Sequence, residues 1–311
     1  MRKHKPLPCV ALCVRTRARG RRQCRFCGVN KMYYFRGSGF SFLLNSRTYI
    51  MGILNVTPDS FFDGGKWNLP QAALAHAIEM EQVGADLLDI GAQSTRPGHT
   101  PLSDVQELQI LQQFLPRIAE RVQIPISVDT FYPLVAEYAL QNGAQIINDV
   151  SGVFSPQMAD IVKRYHAGWI VMHSGNSDAD TVAEYPSGVT NDVLAFFDRM
   201  QAKCASHGIA QEQICFDMGI GFGKSHADNL ELIRNISKLK RQDRALLTAL
   251  SCKRVVANET NANGDDRLYG TLAADTLAIA GGTDFIRVHH IREAALAAKM
   301  ADAVVREKNY G

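Results

Sequence analysis

Tyr49-Ile50-Met51-Gly52-Ile53-Leu54-Asn55-Val56-Thr57-Pro58-Asp59-Ser60-Phe61-Phe62-Asp63-Gly64-Gly65 is the stretch on which the reading of this chain turns. An apolar run, Tyr49 to Leu54, stops abruptly at Asn55. A buried parallel strand has this appearance when it delivers a polar group to its C-terminal end. A loop follows, punctuated by Pro58, Gly64 and Gly65 and carrying Asp59 and Asp63, and then a helix-like stretch from Leu69.

Working outward, the same unit recurs. The apolar runs Leu87–Ile90, Ile126–Val128, Ile146–Ile147, Trp169–Met172, Ile214–Phe216, Ala245–Leu250 and Phe285–Val288 each precede a longer amphipathic stretch. The helical stretches are 69–83, 103–121, 132–142, 155–166, 191–207, 227–238, 267–280 and 293–306. Gly84, Gly143, Gly168 and Gly208 fall where a helix needs a left-handed C-terminal residue. Eight strand-plus-helix units in about 260 residues predict an α/β fold, a TIM (β/α)8 barrel. An open doubly wound sheet is the alternative, weakened by the absence of a Gly-x-Gly-x-x-Gly turn after the first strand.

Composition narrows the function. With 311 residues, 46% hydrophobic and 21% charged, the chain has material for a sizeable core and no apolar stretch of membrane-spanning length. The net charge of +3 is unevenly spread: residues 1–31 hold ten Lys or Arg and no acid. The remainder carries a net charge of −7, which implies no basic surface for nucleic acid. Cys9, Cys13, Cys24 and Cys27 also lie in that first segment, and Cys24-x-x-Cys27 has the spacing of half a zinc site. The segment offers little else for building a module. It is read as a disordered basic extension, or as translated sequence ahead of a start at Met32, with 32–311 as a single barrel domain opened by a short strand or hairpin. Cys204, Cys215 and Cys252 are scattered, which fits a reducing, cytoplasmic setting.

The polar residues that end the apolar runs are Asn55, Asp89, Asp129, Asn148 with Asp149, His173, Asp217, Ser251 with Lys253, and Arg287 with His289. Any one alone reads as a cap. Together, on a barrel, they converge on the C-terminal face, where such folds place their sites. Arg96, Lys253, Arg287 and His289, with the loop Ser94 to Gly98, suit a phosphate or pyrophosphate. Asn55 suits Mg²⁺, which keeps waters and leans on substrate phosphates. Asp129, Asn148 and Asp217 suit a flat heterocycle bearing N–H donors and a carbonyl. In Asp217-Met218-Gly219-Ile220-Gly221-Phe222-Gly223-Lys224 the glycines permit close backbone approach and Phe222 offers an aromatic wall.

Met51 to Gly65, Asp89 to Gly91 with Ser94 to Gly98, Ser127 to Thr130, Ile147 to Gly152, Asp217 to Lys224, Ser251 to Lys253 and Arg287 to His289 resemble, in order and spacing, the motifs of the dihydropteroate synthase family. The resemblance covers essentially Thr48 to the C-terminus. It implies a TIM barrel, usually a homodimer, that joins 4-aminobenzoate to hydroxymethyl-dihydropterin diphosphate and releases pyrophosphate. Position by position it implies Asn55 as the Mg²⁺ ligand. Asp129, Asn148, Asp217 and Lys253 would hold the pterin, and Arg287 and His289 the diphosphate. Thr95 and Arg96 would lie near the aminobenzoate entry, with Phe222 and Lys253 forming its slot. The loops after Asn55 and Gly91 would order over the diphosphate. The chain departs from the family at Gln93 (commonly Glu), Met218 (Pro), Cys252 (Arg) and His290 (Asp), which bears on aminobenzoate handling more than on pterin binding. A non-catalytic pterin-binding paralogue and a methyltetrahydrofolate:corrinoid methyltransferase-like barrel are the alternatives.

Overall fold

The computed structural model describes residues 31–56, 69–93, 102–175, 182–306, and what is said of structure here concerns those residues. Expectations for residues 1–30, for Thr95 and Arg96, and for the loops after Asn55 and Gly91 lie outside them. A hairpin, β1 (Tyr34–Gly37) and β2 (Phe40–Leu43), comes first. Eight parallel strands then close into a barrel: β3 (Tyr49–Asn55), β4 (Leu87–Gly91), β5 (Ile126–Asp129), β6 (Ile146–Asp149), β7 (Gly168–Met172), β8 (Ile214–Asp217), β9 (Ala245–Thr248) and β10 (Phe285–Val288). Each pairs with its neighbours in sequence, and β10 closes the ring on β3. This is the expected TIM barrel.

The helices in chain order are α1 (Leu69–Gln82), α2 (Asp104–Ala119), α3 (Pro133–Gln141), α4 (Pro156–Tyr165), α5 (Val189–Ser206), α6 (His226–Arg234), α7 (Ile236–Leu239), α8 (Arg254–Thr260), α9 (Arg267–Ala280) and α10 (Ile291–Val305). Local chemistry explains their starts. Ser103 with Gln106, and Ser225 with Asp228, form capping boxes at α2 and α6, and Ser155 caps α4. The short α8 was not foreseen, because Val255 to Thr260 spans under two turns and shows no readable period.

Gly168 corrects one expectation. It opens β7, and the left-handed residue that ends α4 is His166, at φ 51°. Gly168 is needed for a different reason: a Cβ there would lie 2.7 Å from Phe40 and 2.9 Å from Phe35. Those rings belong to the hairpin, which plugs the N-terminal end of the barrel. Phe35, Phe40 and Phe42 pack with Tyr49, Met51, Leu87, Ile146, Ile170, Cys215, Leu247 and Phe285. Aromatic edges meet there, with Phe35, Phe42 and Tyr49 all within 5.7 Å of the Phe285 ring.

Asp275 on α9 is buried, and among the described residues neither carboxylate oxygen has a hydrogen-bond partner. Burial pushes its carboxyl up to about 8. The folded state therefore keeps a proton that the unfolded chain releases near pH 4, and stability falls as pH rises from there through about 8. Asp275→Asn is expected to raise the melting temperature by an amount that grows across that window. At its upper end the gain should be on the order of several kcal/mol, because the amide, though still unpaired, carries no buried charge. Thermal melts at a series of pH values check this; a gain independent of pH would contradict it.

Candidate active site

Alternation along the strands builds the site. Residues two apart share a face of a strand, and five of the strands carry an inward pair whose second member, at the mouth, is charged or an amide. Leu87 is followed by Asp89, Ser127 by Asp129, Ile146 by Asn148, Cys215 by Asp217 and Phe285 by Arg287. The same parity sorts the strand-end residues. Asp149 points away from the row of Asn148 and accepts from the Ser151 backbone N–H at 2.9 Å. His173 follows β7, and its Nε2 meets Asp192 of α5 at 2.9 Å. Neither belongs to the inward group.

Arg287 is the centre of that group. Its Nε donates to Asp89 Oδ2 at 2.6 Å and its Nη2 to Asp129 Oδ2 at 3.0 Å. Asn148 Nδ2 donates to the same Asp89 oxygen at 3.0 Å. One cation thus bridges two carboxylates, and two acceptors, Asp89 Oδ1 and Asn148 Oδ1, remain buried without a partner among the described residues. Burial pushes the Asp129 carboxyl up to about 7 despite Arg287, helped by the charges of Asp89, Glu107 and Asp149. The Arg287 guanidinium is held firmly protonated: burial opposes its charge, but Asp89 and Asp129 outweigh it.

The loop after β8 forms the second half. Asp217 Oδ1 accepts from the Gly219 N–H at 2.8 Å. Gly219 is left-handed (φ 67°), and a Cβ on it would fall 1.9 Å from the His173 carbonyl oxygen, so no other residue fits. Lys253 donates to Ile220 O at 2.5 Å, and its ammonium lies 5.0 Å from the centre of the Phe222 ring. Burial lowers the Lys253 ammonium to about 8, with Asp217 pulling the other way. Burial also raises the Asp217 carboxyl, against the pull of Lys253, the Gly219 N–H and Lys224.

Asn55 ends β3 half-buried, level with Gly91 of β4, which in turn is level with Asp129 of β5. A Cβ on Gly91 would stand 3.4 Å from Asn55 Oδ1, an ordinary contact, so the amide oxygen lies directly against that strand. His289 is exposed at the mouth, just before α10. Its Nδ1 pairs with Ser251 Oγ at 2.9 Å, and the same oxygen accepts from the His289 backbone N–H at 3.2 Å. Cys252 adopts a left-handed φ of 57° beside Lys253, its N–H donating to Thr271 Oγ1 at 3.2 Å. His290 is the N-cap residue of α10 and makes no side-chain cap there. Among the described residues no three His, Cys, Asp or Glu side chains cluster as a metal cage.

The structure thus brings Asn55, Asp129, Asn148, Asp217, Lys253, Phe222, Arg287 and His289 to one mouth. Asp89 and Lys224, to which the sequence assigns no ligand, belong with them. Asp89 was visible as a strand end, and parity with Leu87 was the signal that it faces Arg287. Lys224, at the end of the Gly-rich string, is buried and donates to three carbonyls; no sequence signal separates that from a surface lysine.

A family described as "Pterin binding enzyme" matches residues 51–289. The dihydropteroate synthase of Clostridium beijerinckii is 38% identical over 267 residues, spanning 85% of this chain and 97% of that protein. A crystal structure of dihydropteroate synthase from Clostridium difficile, determined in the presence of pteroic acid, superposes with TM-score 0.81 at 38% identity, covering 86% of this chain and all of that one. The Xanthomonas albilineans dihydropteroate synthase with 4-aminobenzoic acid gives 0.82 at 33%, covering 89% of this chain and 100% of its own.

Proposed function

The chain belongs to the pterin binding enzyme family, and from that membership we propose that its barrel mouth works as a dihydropteroate synthase. The reaction joins 6-hydroxymethyl-7,8-dihydropterin diphosphate to 4-aminobenzoate, giving 7,8-dihydropteroate and pyrophosphate. The observation that carries the reading is the inward row. Buried acceptors on Asp129, Asn148 and Asp217 face one side, and the cations Arg287 and Lys253 lie among them.

A pterin presents a flat edge of N–H donors beside a ring carbonyl. Asp217, Asp129 and the unpaired Asn148 Oδ1 supply acceptors for the donors, and the Lys253 ammonium supplies a donor for the carbonyl. Arg287 and His289 hold the diphosphate, with the N-terminus of α10 directly behind them. Phe222 and Lys253 wall the 4-aminobenzoate slot; Thr95 and Arg96, assigned to its entry by the family resemblance, lie outside the described residues. The arylamine nitrogen attacks the pterin methylene carbon, the carbon–oxygen bond breaks, and the electron pair leaves with pyrophosphate. The nitrogen then gives up a proton. No protein nucleophile is required; the chain's contribution is alignment and electrostatic stabilisation of the departing anion.

Mg²⁺ fits this site through Asn55. One amide oxygen suffices for an ion that keeps waters and takes substrate phosphates as further ligands, and Asn55 ends β3 half-buried at the mouth. Bound there, the ion would neutralise charge gathering on the diphosphate. Incubation with both substrates and Mg²⁺, followed by chromatography, should yield dihydropteroate, much more slowly with a chelator. Tight pterin binding without product would instead favour the non-catalytic paralogue. Three unpaired cysteines among the described residues support a cytoplasmic setting.

The working assembly is a homodimer in this reading. Leu296, Met300 and Val304 stand four residues apart along α10 and are 59%, 66% and 71% exposed. Tyr269 and Leu277 are also exposed on α9, which packs against α10. A row of exposed apolar side chains along one helix suits a second copy. Met300→Glu with Leu296→Glu should shift the mass in light scattering from dimer to monomer. A monomeric starting protein would contradict this.

A further inference from the structure

Lys224 spends a buried charge on its own loop. Its Nζ donates to Gly219 O at 2.8 Å, His173 O at 3.1 Å and Phe222 O at 3.1 Å, joining the end of β7 to the loop after β8. That loop bends through left-handed Gly219, Gly221 and Gly223. Lys224 gathers the Gly219 and Phe222 carbonyls onto His173 O, while the loop's outer half is tied elsewhere: the Gly221 N–H donates to Asn229 Oδ1 and the Tyr185 hydroxyl to Gly223 O. Its outer side makes three contacts that point to the mouth. The Gly219 N–H holds Asp217, Ile220 O holds Lys253, and the Phe222 ring lies against the Lys253 ammonium. An ammonium has three N–H donors, and here three carbonyl oxygens receive them. A neutral amine has two, and would turn its lone pair toward the third oxygen.

We propose that Lys224 is the positioning residue of this site: as an ammonium it clamps the loop in the one shape that presents Asp217, Lys253 and Phe222 together, and the clamp loosens when the proton leaves. The inference rests on the reading that those three residues face the substrates.

The charged groups around Lys224 come from several elements. Asp217 ends β8, Lys253 precedes α8, and Asp192 and Asp228 lie on α5 and α6. His173, whose carbonyl accepts one of the bonds, has its own ring held neutral by burial, at about 4. Burial draws the Lys224 ammonium down to about 7 and Lys253 adds to this, while Asp217, Asp192 and Asp228 oppose it. The proton is therefore present below about pH 7 and lost above it, within reach of ordinary buffers.

The test is calorimetric affinity for a non-reacting oxidised pterin diphosphate from about pH 6 to about pH 9, with amide hydrogen exchange of residues 218–223 beside it. The wild-type chain should lose affinity with rising pH. Lys224→Met removes three charge-assisted hydrogen bonds and should bind at least about tenfold more weakly than wild type at the acidic end, the scale of one such bond, with no pH trend of its own from this loop. Its loop amides should exchange faster. Lys224→Arg, always charged, should escape the alkaline loss. An alkaline loss retained in Lys224→Arg would assign it to Lys253 and overturn the proposal, as would a folded Lys224→Met with wild-type affinity and exchange. If the wild-type chain binds no pterin diphosphate at any pH, the pterin reading falls, and exchange in Lys224→Met against wild type still decides whether the clamp exists.

Discussion

Arg287→Ala is expected to lower kcat/KM by about 10²–10³-fold, the usual effect of removing one preorganised donor to a developing anion. The structure adds a second consequence. Arg287 is the cation between Asp89 and Asp129, with Asp89 fully buried. Without it the two carboxylates face each other uncompensated, which costs about 3–5 kcal/mol in a buried setting. Part of that cost is avoided when Asp129 takes a proton, so the variant should be more stable near pH 6 than near pH 8. Arg287→Lys restores a charge but not the fork that reaches two partners, and should fall between wild type and alanine in both activity and stability. Steady-state kinetics and melts at the two pH values check this. A stable alanine variant with undiminished kcat/KM would remove Arg287 from the mechanism.

Asp217→Asn is expected to weaken pterin binding by roughly 1.5–3 kcal/mol, about 10- to 150-fold, while leaving the fold intact. Asparagine can still accept from the Gly219 N–H, so the loop keeps its first bond. What is lost is the negative charge that balances Lys253 and Lys224, and with it one acceptor for the ring edge. The amide would also turn an N–H toward donors of the pterin. Calorimetry showing unchanged affinity would place the ring elsewhere.

Much of this was legible in the sequence because the signals are local. Strand runs that stop at a polar residue, and helices that start at Ser103, Ser155 or Ser225, depend on neighbours a few residues away. Sorting the strand ends needed the pleat as well: Asn148 and Asp149 are adjacent, yet parity sends one into the barrel and the other to a turn. Gly168 was misread because its constraint comes from Phe35 and Phe40, more than a hundred residues away. Lys224 was invisible for a related reason, since backbone carbonyls carry no sequence signature. Of the four departures from the family, the structure gives local accounts for three. Gln93 accepts from the Leu102 N–H, Met218 is core, and Cys252 carries a left-handed turn. Nothing in the structure explains His290.

The central claim is that pterin carbon and arylamine nitrogen meet in this mouth while diphosphate departs with its bridging oxygen. Turnover of a pterin diphosphate carrying ¹⁸O at the bridging position, with 4-aminobenzoate and Mg²⁺, tests it directly by mass spectrometry of both products. The account predicts dihydropteroate without label and pyrophosphate with it. Label retained on a hydroxymethyl-pterin, or no dihydropteroate at saturating 4-aminobenzoate, would contradict it.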